Sequence, residues 1–151
     1  MKNLFRNLFK KKFYSNKQMD HKHSTDAGWD IFIPQAVTIP PQGFVSINTG
    51  LKVAIPKGYV GLIFPRSSVS KSGIHVCTGV IDAGFAGEVY IFVKNLTKKH
   101  YHAEQYSRLA QMVILPCLLP KHVLCMDDKE ILEHNKKISD REEKGYGSTG
   151  V

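Results

Sequence analysis

The sequence has no long hydrophobic run and little cysteine. Its longest apolar stretch, residues 112–119, is interrupted by Pro116 and is far shorter than the roughly 20 residues that span a bilayer. The three cysteines are an odd number, and none stands in a C-x-x-C pair, which favours reduced thiols. We therefore expect a soluble, single-domain protein of the cytoplasm or the nucleus, with no membrane partner.

Acidic residues are missing from the first nineteen positions, which carry six lysines and arginines. The remaining chain has 15 basic and 13 acidic residues, so most of the formal net charge of +8 lies in this leader. A nearly neutral body does not resemble a basic DNA-binding face, and we expect it to bind no nucleic acid. The leader suits an organelle-targeting signal, a membrane-surface or nucleic-acid contact, or a solvated tail. We favour the last, a disordered basic leader over residues 1–19.

The pattern from residue 28 onward indicates β-structure. Short runs rich in Val, Ile, Phe and Tyr are separated by Gly, Pro and Asn, which is typical of a sandwich, jelly roll or barrel. One short helix is predicted at residues 67–72, with Ser67 or Ser68 as its N-cap. Together these elements predict a β domain over residues 20–126. The predicted strands occupy residues 30–33, 44–55, 59–64, 74–77, 88–93 and 109–115.

The composition changes after Met126. Residues 127–144 are polar and charged, with Ile131, Leu132 and Ile138 as their only aliphatic residues. Such a segment buries too little apolar surface to fix its own structure. Together with the glycine-rich end it predicts a mobile C-terminal arm over residues 127–151, which orders only on a ligand or a neighbour.

Five short motifs follow one another along the chain, and each offers groups suited to a nucleoside triphosphate. Small residues allow close backbone approach, hydroxyls and arginines bind phosphate, and a carboxylate can activate water. One such motif carries little weight, but five in this order are hard to explain by chance. They are AGWD at residues 27–30 (motif 1), PRSS at 65–68 (motif 2), GVIDAGF at 79–85 (motif 3), RLAQ at 108–111 (motif 4) and GYGSTG at 145–150 (motif 5).

Motif 2 opens the predicted helix directly after an apolar strand. A helix N-terminus presents unpaired N–H groups and a partial positive charge, and Arg66, Ser67 and Ser68 add donors for phosphate oxygens. A capped helix with a surface arginine explains these residues equally well. In motif 4, a surface arginine at a strand entrance is the simpler interpretation of Arg108.

Motif 3 is predicted to form a β-hairpin. Asp82, among apolar residues at its turn, would be exposed to a pocket but partly desolvated, which suits a general base for water. Phe85 offers a flat face against which a sugar or base could pack. Ordinary turn chemistry also accounts for the Asp and Gly residues of this motif.

Motif 5 is more specific than the others. Its glycines alternate with Tyr146, Ser148 and Thr149, so an aromatic ring, two hydroxyls and free N–H groups fall within six residues. That combination can cover a base and wrap phosphates, with Arg141 upstream for the terminal phosphate. A flexible glycine tail is the alternative.

Two histidine pairs lie outside the five motifs. His21 with His23, and His100 with His102, could each place two imidazoles on one strand face to hold zinc. We interpret them as surface or loop histidines.

Taken together, the five motifs resemble those of the trimeric, all-β dUTPase family, over roughly Ser24 to the C-terminus. The resemblance implies an all-β, jelly-roll-like subunit of the β-clip type with one short helix, and a homotrimer with three active sites at subunit boundaries. It also implies Mg²⁺-dependent hydrolysis of dUTP to dUMP and pyrophosphate. That reaction keeps uracil out of DNA and supplies dUMP for thymidylate synthesis.

The resemblance implies a role for each motif. Asp82 would activate the water that attacks the α-phosphate, and Phe85 would pack under the deoxyribose. The backbone around Gly79 and Ile81 would pair with uracil. Asp30 would support the metal and phosphate shell, with Mg²⁺ held mainly by substrate phosphates and water. Two further subunits would supply the remaining contacts: Arg66, Ser67, Ser68 and Gln111 from one, and Arg141, Tyr146, Gly147 and Ser148 from the mobile arm of the other.

The chain departs from the family pattern at three places. Phe85 stands where tyrosine is usual, which keeps the flat face, loses a hydroxyl and would soften selection for the 2′-deoxy sugar. Glu142 and Lys144 replace two glycines upstream of motif 5, and a carboxylate beside a triphosphate is unfavourable unless it points away or pairs with Lys144. Tyr146 in place of phenylalanine keeps the stacking face.

Two alternatives stay open. The related dCTP deaminase family shares the fold, an arginine-serine-serine string and a hairpin like motif 3. Its catalytic glutamate corresponds to Phe92 here, however, and phenylalanine cannot transfer a proton. The second alternative is a dUTPase-fold binding or regulatory protein with weak hydrolysis, which the altered end of the chain permits. Retention of Asp82, Arg66 and Gln111 favours the hydrolase.

Overall fold

The computed structural model describes residues 12–121 and 123–138. The chain divides into two compact units, Met1–Leu118 and Leu119–Val151, which are described separately. Within the described residues of the first unit lie eleven strands and one helix, α1. The strands are β1 (Tyr14–Ser15), β2 (Gly28–Phe32), β3 (Val37–Ile39), β4 (Phe44–Leu51), β5 (Val53–Ala54), β6 (Tyr59–Pro65), β7 (Ile74–Val76), β8 (Gly79–Ile81), β9 (Val89–Asn95), β10 (Tyr101–Ala103) and β11 (Arg108–Pro116), and α1 spans Ser67–Lys71.

Two larger antiparallel sheets and two strand pairs make up this unit. The larger sheets have the orders β2-β11-β6-β8 and β4-β9-β7, and the pairs are β1 with β5 and β3 with β10. On β9, Val89, Ile91 and Val93 are buried while Tyr90 and Phe92 are exposed, the period of two expected for a half-buried strand. Apolar side chains from both larger sheets join one buried cluster. The all-β prediction is confirmed.

The six predicted strands all occur, with shifted ends. The longest prediction, residues 44–55, divides into β4 and β5, because the register against β9 shifts between Asn48 and Leu51 and Gly50 adopts a positive φ of 63°. Strands β1, β3 and β10 were absent from the prediction. Each has only two or three residues, too few to show an alternating pattern.

The hairpin predicted for motif 3 is wrong. Strand β8 pairs with β6, whereas β9, which follows the turn, pairs with β4 and β7. The two sides of the turn therefore belong to different sheets. The physical reason is that the strands on the two sides of the turn pair with longer strands of the two larger sheets instead of with each other.

The N-terminal segment lies on the domain from residue 14 onward, earlier than the boundary predicted at residue 20. Tyr14 and Ser15 pair with Ala54 and Val53. The Asn16 side chain bridges the β4–β5 connection, and the Lys17 ammonium donates to the Thr49 carbonyl at 2.9 Å. The sequence does not predict these contacts, because they are made with backbone groups and leave no apolar periodicity in the basic leader.

The second unit contains a helix, α2 (Asp128–Lys136), where the sequence composition predicts no fixed element. A capping box starts it: the Asp127 carboxylate accepts from the Glu130 N–H at 2.8 Å, and the Glu130 carboxylate accepts from the Asp127 N–H at 3.0 Å. Local hydrogen bonds of this kind start a helix without buried apolar surface. None of the helices in the described part of the chain is long and apolar enough to cross a membrane.

Candidate active site

Asp30 is the centre of the candidate site. It lies in β2 opposite Gln111 of β11, and its backbone N–H donates to the Asp20 carbonyl at 2.6 Å. Its carboxylate contacts two guanidinium groups, Arg66 Nε at 2.7 Å from Oδ1 and Arg108 Nη1 at 3.0 Å from Oδ2. Motifs 1, 2 and 4 therefore meet at one buried carboxylate.

Arg66 reaches Asp30 because of its place at the start of α1. It is the N-cap residue of that helix, with extended φ and ψ of −77° and 147°, and its side chain makes no capping hydrogen bond. The prediction of Ser67 or Ser68 as the N-cap is therefore wrong by one or two residues. Both serines lie in the first turn of α1, beside the arginine.

Gln111 of motif 4 contacts residues of both motif 1 and motif 2. Its side-chain amide donates to the Pro65 carbonyl at 3.0 Å. A Cβ atom added at Gly28 would lie 2.0 Å from the Gln111 Oε1 atom, so glycine at position 28 leaves the space that the glutamine side chain occupies. This is the close approach that a small residue in motif 1 permits.

Arg108 is the site residue that the sequence interpretation missed. It begins β11 at a β-bulge, where the register against β2 shifts between Arg108 and Ala110 and re-aims the side chain. Taken by itself, motif 4 favours the interpretation of Arg108 as a surface arginine. Its role follows from the pairing of β11 with β2, a long-range contact that the sequence alone does not show.

Both arginines line an open pocket of about 480 Å³. Their side chains are 27% and 41% exposed, against 7% for Asp30, so the carboxylate is buried and the guanidinium groups reach solvent. Two positive charges and one negative charge leave the cluster with a net charge of +1. Ser68, Ser72 and Ser107 line the same pocket. Such a lining suits an anion with several oxygens.

Motif 3 forms an exposed turn. The Phe85 N–H donates to the Asp82 carbonyl at 3.1 Å, and Gly84 supplies the positive φ of 85° that the turn requires. Asp82 is exposed, and its carboxylate makes no hydrogen bond or ion pair with any described residue. The partial desolvation predicted for Asp82 is therefore not provided by a single chain.

The rest of motif 3 surrounds this turn. The Phe85 ring is 42% exposed and lies over Gly87, where an added Cβ would come within 2.6 Å of it. Gly79 and Ile81 lie in β8, opposite Ile63 and Gly61. Strand β8 is the last strand of its sheet, so one of its backbone edges is unpaired among the described strands.

The structure thus forms two separate groups of predicted site residues. Asp30, Arg66 and Gln111 come together where β2, β11 and the start of α1 meet. Asp82 and Phe85 share the motif 3 turn. Across the described ranges, no hydrogen bond or ion pair joins the two groups. The predicted residues of the arm, Arg141, Tyr146, Gly147 and Ser148, lie outside the described residues.

The histidine pairs have structural partners. His102 lies between the Thr38 hydroxyl at 2.8 Å and the Glu104 carboxylate at 3.1 Å, and His21 packs edge-on against Trp29. Residues 12–121 and 123–138 contain no group of three or more His, Cys, Asp or Glu side chains that could hold a metal ion.

Comparison with curated proteins identifies relatives over most of the chain. It is 38% identical over 132 residues to the deoxyuridine 5′-triphosphate nucleotidohydrolase of Clostridium novyi, covering 85% of this chain and 87% of that protein. It is 32% identical over 138 residues to the Pol polyprotein of equine infectious anemia virus, covering 91% of this chain. The chain corresponds to only 11% of the length of that polyprotein.

Solved structures show the same fold. A dUTPase of Staphylococcus bacteriophage 80alpha with dUpNHpp superposes with a TM-score of 0.80 at 30% identity, covering 93% of this chain and 99% of that one. A dUTPase from phage phi11 of S. aureus, described as coordinating a structural Mg(II) ion, superposes with a TM-score of 0.71 at 28% identity, covering 79% and 99%.

The described domain is all-β, and its arginine pair, linked by Asp30, lines a pocket suited to an anion with several oxygens. The family model for dUTPase matches residues 15–150 of this sequence. The chain therefore belongs to the dUTPase family.

Proposed function

We propose that the protein hydrolyses dUTP to dUMP and pyrophosphate, and so keeps uracil out of DNA and supplies dUMP for thymidylate synthesis. The observation that carries this proposal is the buried Asp30 carboxylate between Arg66 and Arg108, the two arginines that line a pocket together with Ser68 of α1. That arrangement offers charge-assisted donors to a phosphate chain. The names of the relatives point to the same substrate.

The reaction divides between the two groups of residues. The carboxylate of Asp82 accepts a proton from the water that attacks the α-phosphate. The free edge of β8 around Gly79 and Ile81 pairs with uracil, and the exposed Phe85 ring packs under the deoxyribose. Arg66, Ser67, Ser68 and Gln111 hold the phosphates in line with the attacking water.

The proposal requires a homotrimer. In one chain, the Asp82 carboxylate makes no hydrogen bond or ion pair with any described residue, and none joins the motif 3 turn to the arginine pair. A second copy that places its arginine pocket against the motif 3 turn would complete the site and desolvate Asp82. A third copy would add the arm that carries Arg141, Tyr146, Gly147 and Ser148 over the bound nucleotide.

We expect magnesium to bind at this site together with the substrate phosphates. Mg²⁺ keeps several waters and is commonly bound by one or two carboxylates together with substrate phosphates. The described residues offer no all-protein cage of acidic or imidazole ligands, and the negative charge of Asp30 is already balanced by two arginines. We therefore propose that phosphates and water provide most of the ligands. Bound there, Mg²⁺ would supply neutralisation of the phosphate charge.

The deaminase alternative lacks the catalytic glutamate that its reaction requires. The position of its catalytic glutamate holds Phe92, which is exposed on β9 and stacks on Phe44 with ring centroids 6.2 Å apart. Neither ring can move a proton. A binding or regulatory protein with weak or lost hydrolysis is the other alternative, and it predicts nucleotide binding with little or no turnover.

A substrate panel separates these functions. Purified protein is incubated with Mg²⁺ and dUTP, dCTP, dTTP or UTP, and pyrophosphate and ammonia are measured. Pyrophosphate from dUTP in clear preference to the other three supports the proposal. Ammonia from dCTP would identify a deaminase, and no release of either product from any nucleotide would leave only the binding protein.

A further inference from the structure

Tyr106 combines two unfavourable features at the open pocket that Arg66 and Arg108 line. Its backbone has a positive φ of 63°, a conformation that is disfavoured for a bulky side chain, and the residue is 67% exposed. We propose that Tyr106 is a further binding residue of this pocket, whose phenol hydroxyl donates a hydrogen bond to the phosphate chain of the substrate. The inference deepens the proposed function and rests on it for the identity of the substrate.

Hydrogen bonds hold the backbone of Tyr106 in this conformation. Its N–H donates to the Ile33 carbonyl at 2.8 Å, and the Ile33 N–H donates to the Ser107 carbonyl at 3.0 Å. The Gln105 side-chain amide donates to the Pro34 carbonyl at 2.8 Å. The connection between β10 and β11 is thus fixed against the residues that follow β2. The positive φ of Tyr106 cannot relax without the loss of some of these bonds.

Gln42 shows how such strain is offset elsewhere in the molecule. It is the other non-glycine residue with a positive φ in the described part of the chain, at 56°. Its side-chain amide donates to the Leu96 and Thr97 carbonyls at 2.9 and 3.1 Å, so its own side chain compensates for the backbone conformation. The Tyr106 phenol makes no hydrogen bond with any residue of the described ranges. Uncompensated strain of this kind clusters at sites that bind ligands.

The pocket supplies an acceptor for the unused hydroxyl once an anion is bound. Tyr106 lines the pocket together with Arg66 and Arg108, and it precedes Arg108 by two residues. The two guanidinium groups attract an anion with several oxygens. A phenol hydroxyl is a hydrogen-bond donor, and a bond to a charged oxygen is stronger than a bond between neutral groups. A bound phosphate chain therefore gives Tyr106 the partner that a single chain does not.

Tyr106→Phe tests the hydroxyl, because it keeps the ring and the backbone conformation. Binding of inorganic tripolyphosphate is measured by calorimetry, kcat and KM for dUTP are measured with Mg²⁺, and the melting temperature is followed by circular dichroism. We expect the tripolyphosphate Kd and the KM for dUTP each to rise by about tenfold, the effect of one lost hydrogen bond to a charged group. The kcat should change less, and the melting temperature should stay the same.

Tyr106→Gly separates binding from stability. Glycine adopts a positive φ without strain, so we expect the melting temperature to stay level or rise while tripolyphosphate binding weakens at least as much as in Tyr106→Phe. A purely structural tyrosine predicts the opposite, a lower melting temperature with unchanged binding. The matched control is Gln42→Gly, at the other strained position. It should lower the melting temperature, because two side-chain hydrogen bonds are lost, and bind tripolyphosphate within about twofold of the parent.

Unchanged tripolyphosphate binding by Tyr106→Phe would overturn the proposal, and so would a parent protein that does not bind tripolyphosphate. A change in the mass of the assembly in either Tyr106 variant, measured by light scattering, would place the residue between copies of the chain and would also overturn it. Absence of dUTP hydrolysis by the parent protein would refute the proposed function, whereas the tripolyphosphate measurements would still decide the role of Tyr106.

Discussion

Asp82 lacks, within one chain, the surroundings that its proposed chemistry requires. In one chain it is an exposed carboxylate on a glycine-containing turn, with no partner among the described residues. Its proposed chemistry needs a phosphate chain brought close by other groups. The sequence predicts the residue and its turn, since Asp and Gly in this order specify turn geometry. The partial desolvation that the sequence also predicts is not provided by one chain, and in the proposed trimer it depends on a neighbouring surface.

Replacement of Asp82 by alanine tests the proposed base. We expect kcat for dUTP to fall by at least about 100-fold, the lower range for loss of a general base, while the Kd for a non-hydrolysable dUTP analogue stays nearly unchanged. Asp26→Ala, at an exposed aspartate that precedes motif 1 and belongs to none of the five motifs, serves as the control and should keep its activity. A loss of analogue binding as large as the loss of kcat would instead make Asp82 a binding or structural residue.

Gly28 is predicted to act through Gln111. In Gly28→Ala, the new Cβ would collide with the end of a flexible side chain, so Gln111 must leave its bond to the Pro65 carbonyl. We expect kcat/KM to fall by about tenfold or more with little change in melting temperature, since misplacement of a binding group affects reactivity strongly. Kinetics and thermal unfolding measure the two effects.

Gln111→Ala provides the matched comparison for Gly28. If the collision is the cause, Gly28→Ala should have little further effect in a chain that already lacks the Gln111 side chain. Equal losses in both backgrounds would show that Gly28 acts through something other than this contact.

At the scale of elements, the sequence predicts the long, regular strands and misses the short ones and the helix α2. β9 is recognised because buried and more exposed residues alternate along its seven positions. β11, of nine residues, is recognised by a continuous apolar run at residues 112–115. β1 has two residues, and its contacts come from backbone groups and from Asn16, which leave no periodic trace. Helix α2 was missed for another reason: its capping box is a local hydrogen-bond signal, and a composition argument ignores it.

The N-terminal segment is predicted to stabilise the domain through Asn16. Its side chain donates to the Gly50 carbonyl at 3.1 Å and accepts from the Lys52 N–H at 2.6 Å. Asn16→Ala should lower the free energy of unfolding by about 1–2 kcal/mol, the usual size for lost hydrogen bonds. Urea unfolding measures this change. Asn135→Ala, on the surface of α2, is the control, and equal stability of Asn16→Ala and the parent would show that the segment contributes nothing.

At the scale of the whole molecule, the two groups of site residues lie in one chain without contact. The order β2-β11-β6 brings motifs 1, 2 and 4 together, and this strand order was beyond prediction because it depends on pairing between residues as distant as 30, 66 and 108. The five motifs themselves predicted the family correctly. The trimer, the role of the arm and a cytoplasmic or nuclear location stay predictions.

The assembly predicts a specific mass in solution. Light scattering should give three times the chain mass of 17.0 kDa, because a site shared among three copies requires all of them. The measurement is made with and without a dUTP analogue and Mg²⁺. A monomer under both conditions that still hydrolyses dUTP would show that the site is complete within one chain.

Complementation between two inactive variants tests the shared site most directly. Asp82→Ala keeps the arginine pocket, and Arg66→Gln keeps the motif 3 turn, so each alone should hydrolyse dUTP very slowly. Refolded together in equal amounts, they should recover roughly a quarter of the parent activity, since random cyclic assembly places an intact Asp82 against an intact Arg66 at one site in four. No recovery in a mixture whose native mass spectrum shows mixed trimers would contradict the account.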